Sequence, residues 1–171
     1  VAATPGHQQL PRRCGAFPLH LVPTDTPCPR SRAANRGLDT AKGDLLLFLD
    51  DDDWLMPDHV TRLADVLLQL PETLAVYSGV GLVDANGQML EQTFDMAFDS
   101  TQQLIGNLTP IHSVLFRASA LSQGCRFDEA FNHFEDWDFW LQIAHLAPFV
   151  HLPGVSAFYQ IHESSGIHSV A

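Results

Sequence analysis

Leu45-Leu46-Leu47-Phe48-Leu49-Asp50-Asp51-Asp52-Asp53 is the stretch on which the fold turns. A short apolar run that ends abruptly in carboxylates predicts a buried strand opening into a site. In open α/β sheets, ligands bind beyond the carboxyl ends of strands. Four adjacent anions repel one another, so a positive group belongs near them. A hard divalent cation suits oxygen ligands and keeps waters or substrate phosphates as further ligands. The alternative reading is a solvated acidic turn before a helix, since Asp is favoured at N-caps and near helix N-termini.

The flanking sequence supplies the rest of an α/β pattern. Upstream, Ser31 is placed to cap a helix running to about Lys42, with Gly43 as its stop. Downstream, Asp58 is placed to cap a helix whose apolar positions Val60, Leu63, Val66, Leu67 and Leu70 have helical spacing, ended by Pro71. Leu74 to Val83 predicts a strand, and Asp84-Ala85-Asn86-Gly87 a turn before a short return strand. Residues 91–109 read as a long loop. Ile111 to Phe116 reads as a strand and Ala118 to Gln123 as a short helix. Phe134 to Leu146 reads as a second strong helix, with Trp137, Trp140, Leu141 and Ala144 on one face. Phe149 to Leu152 and Val155 to Ile161 read as two strands around Pro153-Gly154. Alternating helices and strands predict an α/β domain with a mixed sheet flanked by helices.

Composition bounds the function. The 171 residues suffice for one domain with a core. A formal net charge of -11 would repel a long phosphate backbone, which argues against nucleic acid as a partner. A single nucleotide stays open, because one metal ion inverts the local field. No apolar stretch is long enough to span a bilayer. The start, Val1-Ala2-Ala3-Thr4-Pro5-Gly6, does not read as a signal peptide, and without an initiator Met it suggests an excised domain or a processed chain. Cys14, Cys28 and Cys125 make neither a disulfide framework nor a zinc site, so free thiols in a reducing, cytoplasmic setting are expected. Association with a membrane would then be peripheral, through a parent protein. The sequon Asn107-Leu108-Thr109 is taken as chance.

Three features carry a resemblance. The first is Arg32-Ala33-Ala34-Asn35-Arg36-Gly37 followed by Ala41-Lys42-Gly43-Asp44. The second is Leu49-Asp50-Asp51-Asp52-Asp53-Trp54 with Pro57. The third is Phe127-Asp128-Glu129, then Phe134-Glu135-Asp136-Trp137-Asp138-Phe139-Trp140-Leu141. In this order they resemble the family 2 glycosyltransferases, inverting enzymes of the GT-A fold. The closing Tyr159-Gln160-Ile161-His162 is similar to that family's Tyr-Arg-x-His ending, with Gln160 where Arg is common.

The resemblance implies a GT-A-like domain over residues 30–165, between an irregular segment at 1–29 and a tail at 166–171. It implies transfer of a sugar from a nucleotide-sugar donor, a UDP-sugar for preference, to a hydroxyl of a glycan, lipid or protein. Departure of the diphosphate calls for charge neutralisation by Mg²⁺ or Mn²⁺. By resemblance, Asp52 contacts the metal, and Asp50 or Asp51 the ribose or the metal's waters. Asp136, with Glu135 beside it, matches the base that deprotonates the acceptor. Both residues are also placed to stabilise a helix N-terminus. His162 is similar to a histidine that completes the metal shell in some relatives. Arg32 and Arg36 are candidates for the nucleotide or its phosphates, and His112 for the donor pocket, the core or its rim.

Alternation along an extended segment would turn Asp50 and Asp52 one way and Asp51 and Asp53 the other, leaving Asp53 to cap or turn the chain. Trp54 is read as packing beneath the site, and Asp138 as pointing elsewhere. The apolar first strand usual in the family is not found in residues 1–29. Its absence suggests two alternatives: an incomplete or degenerate GT-A domain that binds or assembles without turnover, and self-association as a homodimer through an exposed sheet edge. A nucleotidyltransferase would want a Gly-rich phosphate loop, which is missing.

Overall fold

A computed structural model describes residues 10–22, 28–131 and 133–161. Strand β1 (Arg13–Cys14) and strand β2 (Phe17–Pro18) form a small antiparallel ribbon. Helix α1 (Arg30–Thr40) leads to strand β3 (Leu45–Leu47), the first strand of the main sheet. Strand β4 (Trp54–Leu55) and helix α2 (His59–Gln69) follow the aspartates. Strands β5 (Ala75–Val83) and β6 (Met89–Phe94) form a hairpin, and helix α3 (Ser100–Ile105) follows. A single 3-10 turn, Ile111–Ser113, opens strand β7 (Val114–Arg117). Helices α4 (Ser119–Ser122) and α5 (Glu135–Leu146) precede strand β8 (Val150–Gln160).

Among the described residues the main sheet has six strands in the order β3-β7-β5-β8-β4, with β6 on the end of β5 beyond β7. β5 and β8 run parallel; the other pairings are antiparallel. β5 is central and buried along its whole length. Side-chain alternation divides its residues between two cores. Ala75 and Tyr77 face α1 and α5, where Leu38, Phe116, Phe139, Trp140 and Ile143 pack. Val76 faces α2 with Leu63, Leu67 and Leu115. Helices thus cover both faces, as the apolar strands require.

Several expectations need correction. β3 is an edge strand, paired only with β7 among the described residues. Its leucines are therefore half-buried rather than buried, and Leu49 is 50% exposed. Pro29, not Ser31, precedes α1; Ser31 lies inside the first turn with a buried side chain. Residues 91–109 are not one loop, since β6 runs to Phe94 and Asp99 caps α3 by accepting from the N–H groups of Thr101 and Gln102. The two closing strands are one. Gly154, at φ 103°, lets β8 bulge at Pro153-Gly154 and resume pairing. Asp95 pins that bulge by accepting from the Gly154 N–H at 3.1 Å and lying 2.8 Å from His151 Nε2. Gly79 leaves room for Asp95, whose side chain a Cβ there would meet at 2.7 Å.

Candidate active site

The aspartates lie in the connection from β3 to β4, and the backbone turns among them. The Asp53 N–H reaches the Asp50 carbonyl at 3.4 Å, so the segment is not extended. This overturns the simple alternation. Asp50, Asp52 and Asp53 converge, each offering an oxygen within 4.8 Å of the others, while Asp51 is exposed. Asp53 has a buried side chain whose Oδ1 accepts from the Gln160 N–H at 3.1 Å. It therefore ties the turn between β3 and β4 to the end of β8. Its Oδ2 lies 3.0 Å from His112 Nδ1, near enough for an ion pair but off the line of a hydrogen bond. His112 is fully buried and stacks on Tyr159 at 6.1 Å. Three hard oxygen donors, one with a buried and unaligned oxygen, fit a divalent cation.

Behind this cluster is a second buried imidazole. His59 Nδ1 lies 2.8 Å from Ser156 Oγ. Burial, then the neighbouring His112 and Arg62, lower its pKa to about 4, so it is neutral in the folded protein at neutral pH.

Glu135 and Asp136 open α5 as expected, where negative charge complements the helix dipole. Glu135 is nearly closed to solvent. Asp136 Oδ2 accepts from Asn107 Nδ2 at 2.8 Å, and Oδ1 accepts from the Trp137 N–H. Burial, opposed by that Asn107 bond and aided by Glu135, raises the Asp136 pKa above the ordinary carboxylate range. A carboxyl held that way is suited to take a proton. Asn107, read from sequence only as part of a chance sequon, is its partner.

Arg30 joins the two acidic groups. Its Nη2 donates to Asp50 Oδ2 at 2.7 Å and its Nε lies 3.0 Å from Glu135 Oε1. Burial acts to lower its pKa, but the Asp50 and Glu135 carboxylates outweigh it and the net shift is upward. Sequence reasoning passed over Arg30 in favour of Arg32 and Arg36. Arg32 instead pairs with Glu129 at 3.0 Å, and Arg36 contributes its charge at the same carboxylate. Asn35 donates to the Phe127 carbonyl and to Glu129, so the Asn-x-Gly helix and the Phe-Asp-Glu turn hold each other. Trp54 pairs across β4 and β8 with its ring stacked on Phe158 at 5.5 Å. Asp138 accepts from Gln142 within α5. His162 lies outside the described residues.

The family described as glycosyltransferase like family 2 matches residues 21–167. An uncharacterized glycosyltransferase of Haemophilus influenzae is 25% identical over 132 residues, covering 75% of this chain and 45% of that protein. Chondroitin synthase of Escherichia coli is 25% identical over 120 residues, covering 70% of this chain and 18% of that protein. The chain thus spans less than half the length of these curated relatives. Among solved structures, S. aureus TarS 1-349 superposes with a TM-score of 0.66 at 17% identity, covering 85% of this chain and 44% of that one. A second TarS structure gives 0.62, covering 81% of this chain and 26% of that one. This likeness shows a shared GT-A-type fold.

Proposed function

Because the chain belongs to the glycosyltransferase-like family 2, we propose that it carries the donor-binding and catalytic part of a metal-dependent inverting glycosyltransferase. The observation that carries this reading is the bridge from Asp50 through Arg30 to Glu135, which sets the aspartate cluster and the helix with Asp136 around one site. Asp52, Asp50 and Asp53 are the candidate ligands of Mg²⁺ or Mn²⁺, and Asp50 or Asp51 the candidate contact to the ribose. When bound, the cation offsets charge on the departing diphosphate. Asp136 takes the proton of the acceptor hydroxyl. The acceptor oxygen bonds to the anomeric carbon. The bond from that carbon to the diphosphate breaks, and its electron pair leaves with the phosphate oxygen. A UDP-sugar is the preferred donor. Among glycan, lipid and protein acceptors, the name of the chondroitin synthase relative favours a glycan. In the described residues no helix is long and apolar enough to cross a membrane.

One observation favours a second reading. The outer edge of β3 has no strand partner among the described residues, which suits an incomplete domain that assembles with a second copy or another chain. Calorimetric titration with UDP and GDP, each with Mn²⁺ or EDTA, separates the two. Under the leading reading, binding requires Mn²⁺ and is lost in Asp52→Ala with the melting temperature unchanged. No binding by a folded sample would favour the second reading, and sedimentation would then show whether it dimerises.

A further inference from the structure

We infer that Arg30 is a resident counter-cation of the donor site, which gives up Asp50 to the metal and turns to the diphosphate; the inference rests on the function just proposed. Arg30 is the first residue of α1 and follows Pro29. A cation at a helix N-terminus gains nothing from the helix dipole, and α1 has no acid in its first turn to offset it. What holds the guanidinium is Asp50 and Glu135, through two different nitrogens.

The two ends differ. Glu135 is 9% exposed, whereas Arg30 is 66% and Asp50 is 35% exposed. An exposed ion pair is weak and easily exchanged. The Asp50 end is therefore the one to release, with Nε and Glu135 as the pivot. Asp50 is also one of the three carboxylates whose oxygens converge within 4.8 Å. A divalent cation on that cluster and the Arg30 Nη2 compete for one carboxylate. Once displaced, Nη2 is left beside the metal with donors unfilled, and a planar guanidinium matches phosphate oxygens well. Arg30 thus neutralises the acidic cluster before the donor arrives and steadies the leaving group afterwards.

Two titrations test this, on the whole chain as wild type, Arg30→Gln and Arg30→Lys. Mn²⁺ affinity without nucleotide is read by the loss of the free-ion EPR signal. UDP and GDP affinities are then read calorimetrically at saturating Mn²⁺. Arg30→Gln is expected to tighten Mn²⁺ about two- to fivefold, the scale of one partly exposed neighbouring charge. The same variant is expected to weaken the nucleotide about tenfold, the scale of a charge-assisted hydrogen bond. Arg30→Lys, which keeps the charge, is expected to hold Mn²⁺ near the wild-type affinity and to recover part of the nucleotide affinity. Weaker Mn²⁺ binding in Arg30→Gln, or unchanged nucleotide affinity, would overturn the inference while leaving the metal site standing. Absence of Mn²⁺ binding in wild type and in Arg30→Gln alike would overturn both. Mn²⁺ binding that appears only in Arg30→Gln would support the counter-cation role.

Discussion

His112 Nδ1 lies 3.0 Å from Asp53 Oδ2, and neither side chain is open to solvent. Two charged or chargeable groups are seldom buried together unless each satisfies the other. Here Asp53 is also bonded to the backbone at Gln160 and belongs to the candidate metal cluster. The pair therefore couples the fold of β8 to the position of a carboxylate of the candidate metal cluster.

Removing the imidazole leaves a cavity beside the buried Asp53 carboxylate, and truncating a fully buried ring costs about 3–5 kcal/mol. His112→Ala is expected to lower stability by about that amount in urea melts. Added Mn²⁺ should recover part of the loss, because a cation on the cluster would take up the buried Asp53 oxygen. Wild-type stability in His112→Ala would show that the pair is dispensable to the fold.

Asp136 yields a prediction with a pH signature. Its folded pKa is raised, chiefly by burial, so the folded state disfavours its charged form. Above its folded pKa the wild type carries the full penalty. The penalty fades as pH falls through that value and is absent below the ordinary carboxylate range. Asp136→Asn, which keeps an acceptor for Asn107, should thus be more stable than wild type at neutral pH and equal to it in acid. Transfer should fall by about 10²- to 10⁴-fold, the usual worth of a general base, with nucleotide affinity retained. Thermal melts at several pH values and an initial-rate assay read the two effects separately. Retained turnover would place the base elsewhere.

The sequence carried the backbone of this arrangement because its strongest signals are local. The apolar run before Asp50, the helical spacing through Leu63 and Leu67, and the acidic start of α5 each follow from short-range periodicity. What escaped depends on turns and on partners distant in the chain. The convergence of Asp53 with Asp50 needs a backbone turn that alternation does not foresee. Arg30 looks like any solvated helical arginine until Asp50 and Glu135, 20 and 105 residues away, fold beside it. Helix α3 did leave a signal: Asp99 before Ser100-Thr101 is an ordinary N-cap pattern, obscured by the polar run around it. β8 was split in two because Pro153-Gly154 reads as a turn, whereas the Gly154 conformation absorbs it as a bulge.

Phe134 supplies the last prediction. It is the one described non-glycine residue with positive φ, at 61°, and it immediately precedes Glu135 and Asp136. For a bulky side chain the left-handed region costs about 1–2 kcal/mol. Little burial offsets this, since Phe134 is 48% exposed, although its ring meets Trp137 edge-on at 6.0 Å. Comparing Phe134→Gly with Phe134→Ala removes the ring from both and isolates the backbone. Phe134→Gly should be the more stable by about 1 kcal/mol, with Phe134→Asn between them, because Gly and then Asn tolerate this conformation best. The reverse order in chemical denaturation would mean that the backbone there is unstrained. A freer Gly also loosens the entry to α5, so Phe134→Gly should lose turnover while gaining stability over Phe134→Ala, as expected if strain holds the proposed base Asp136 in place.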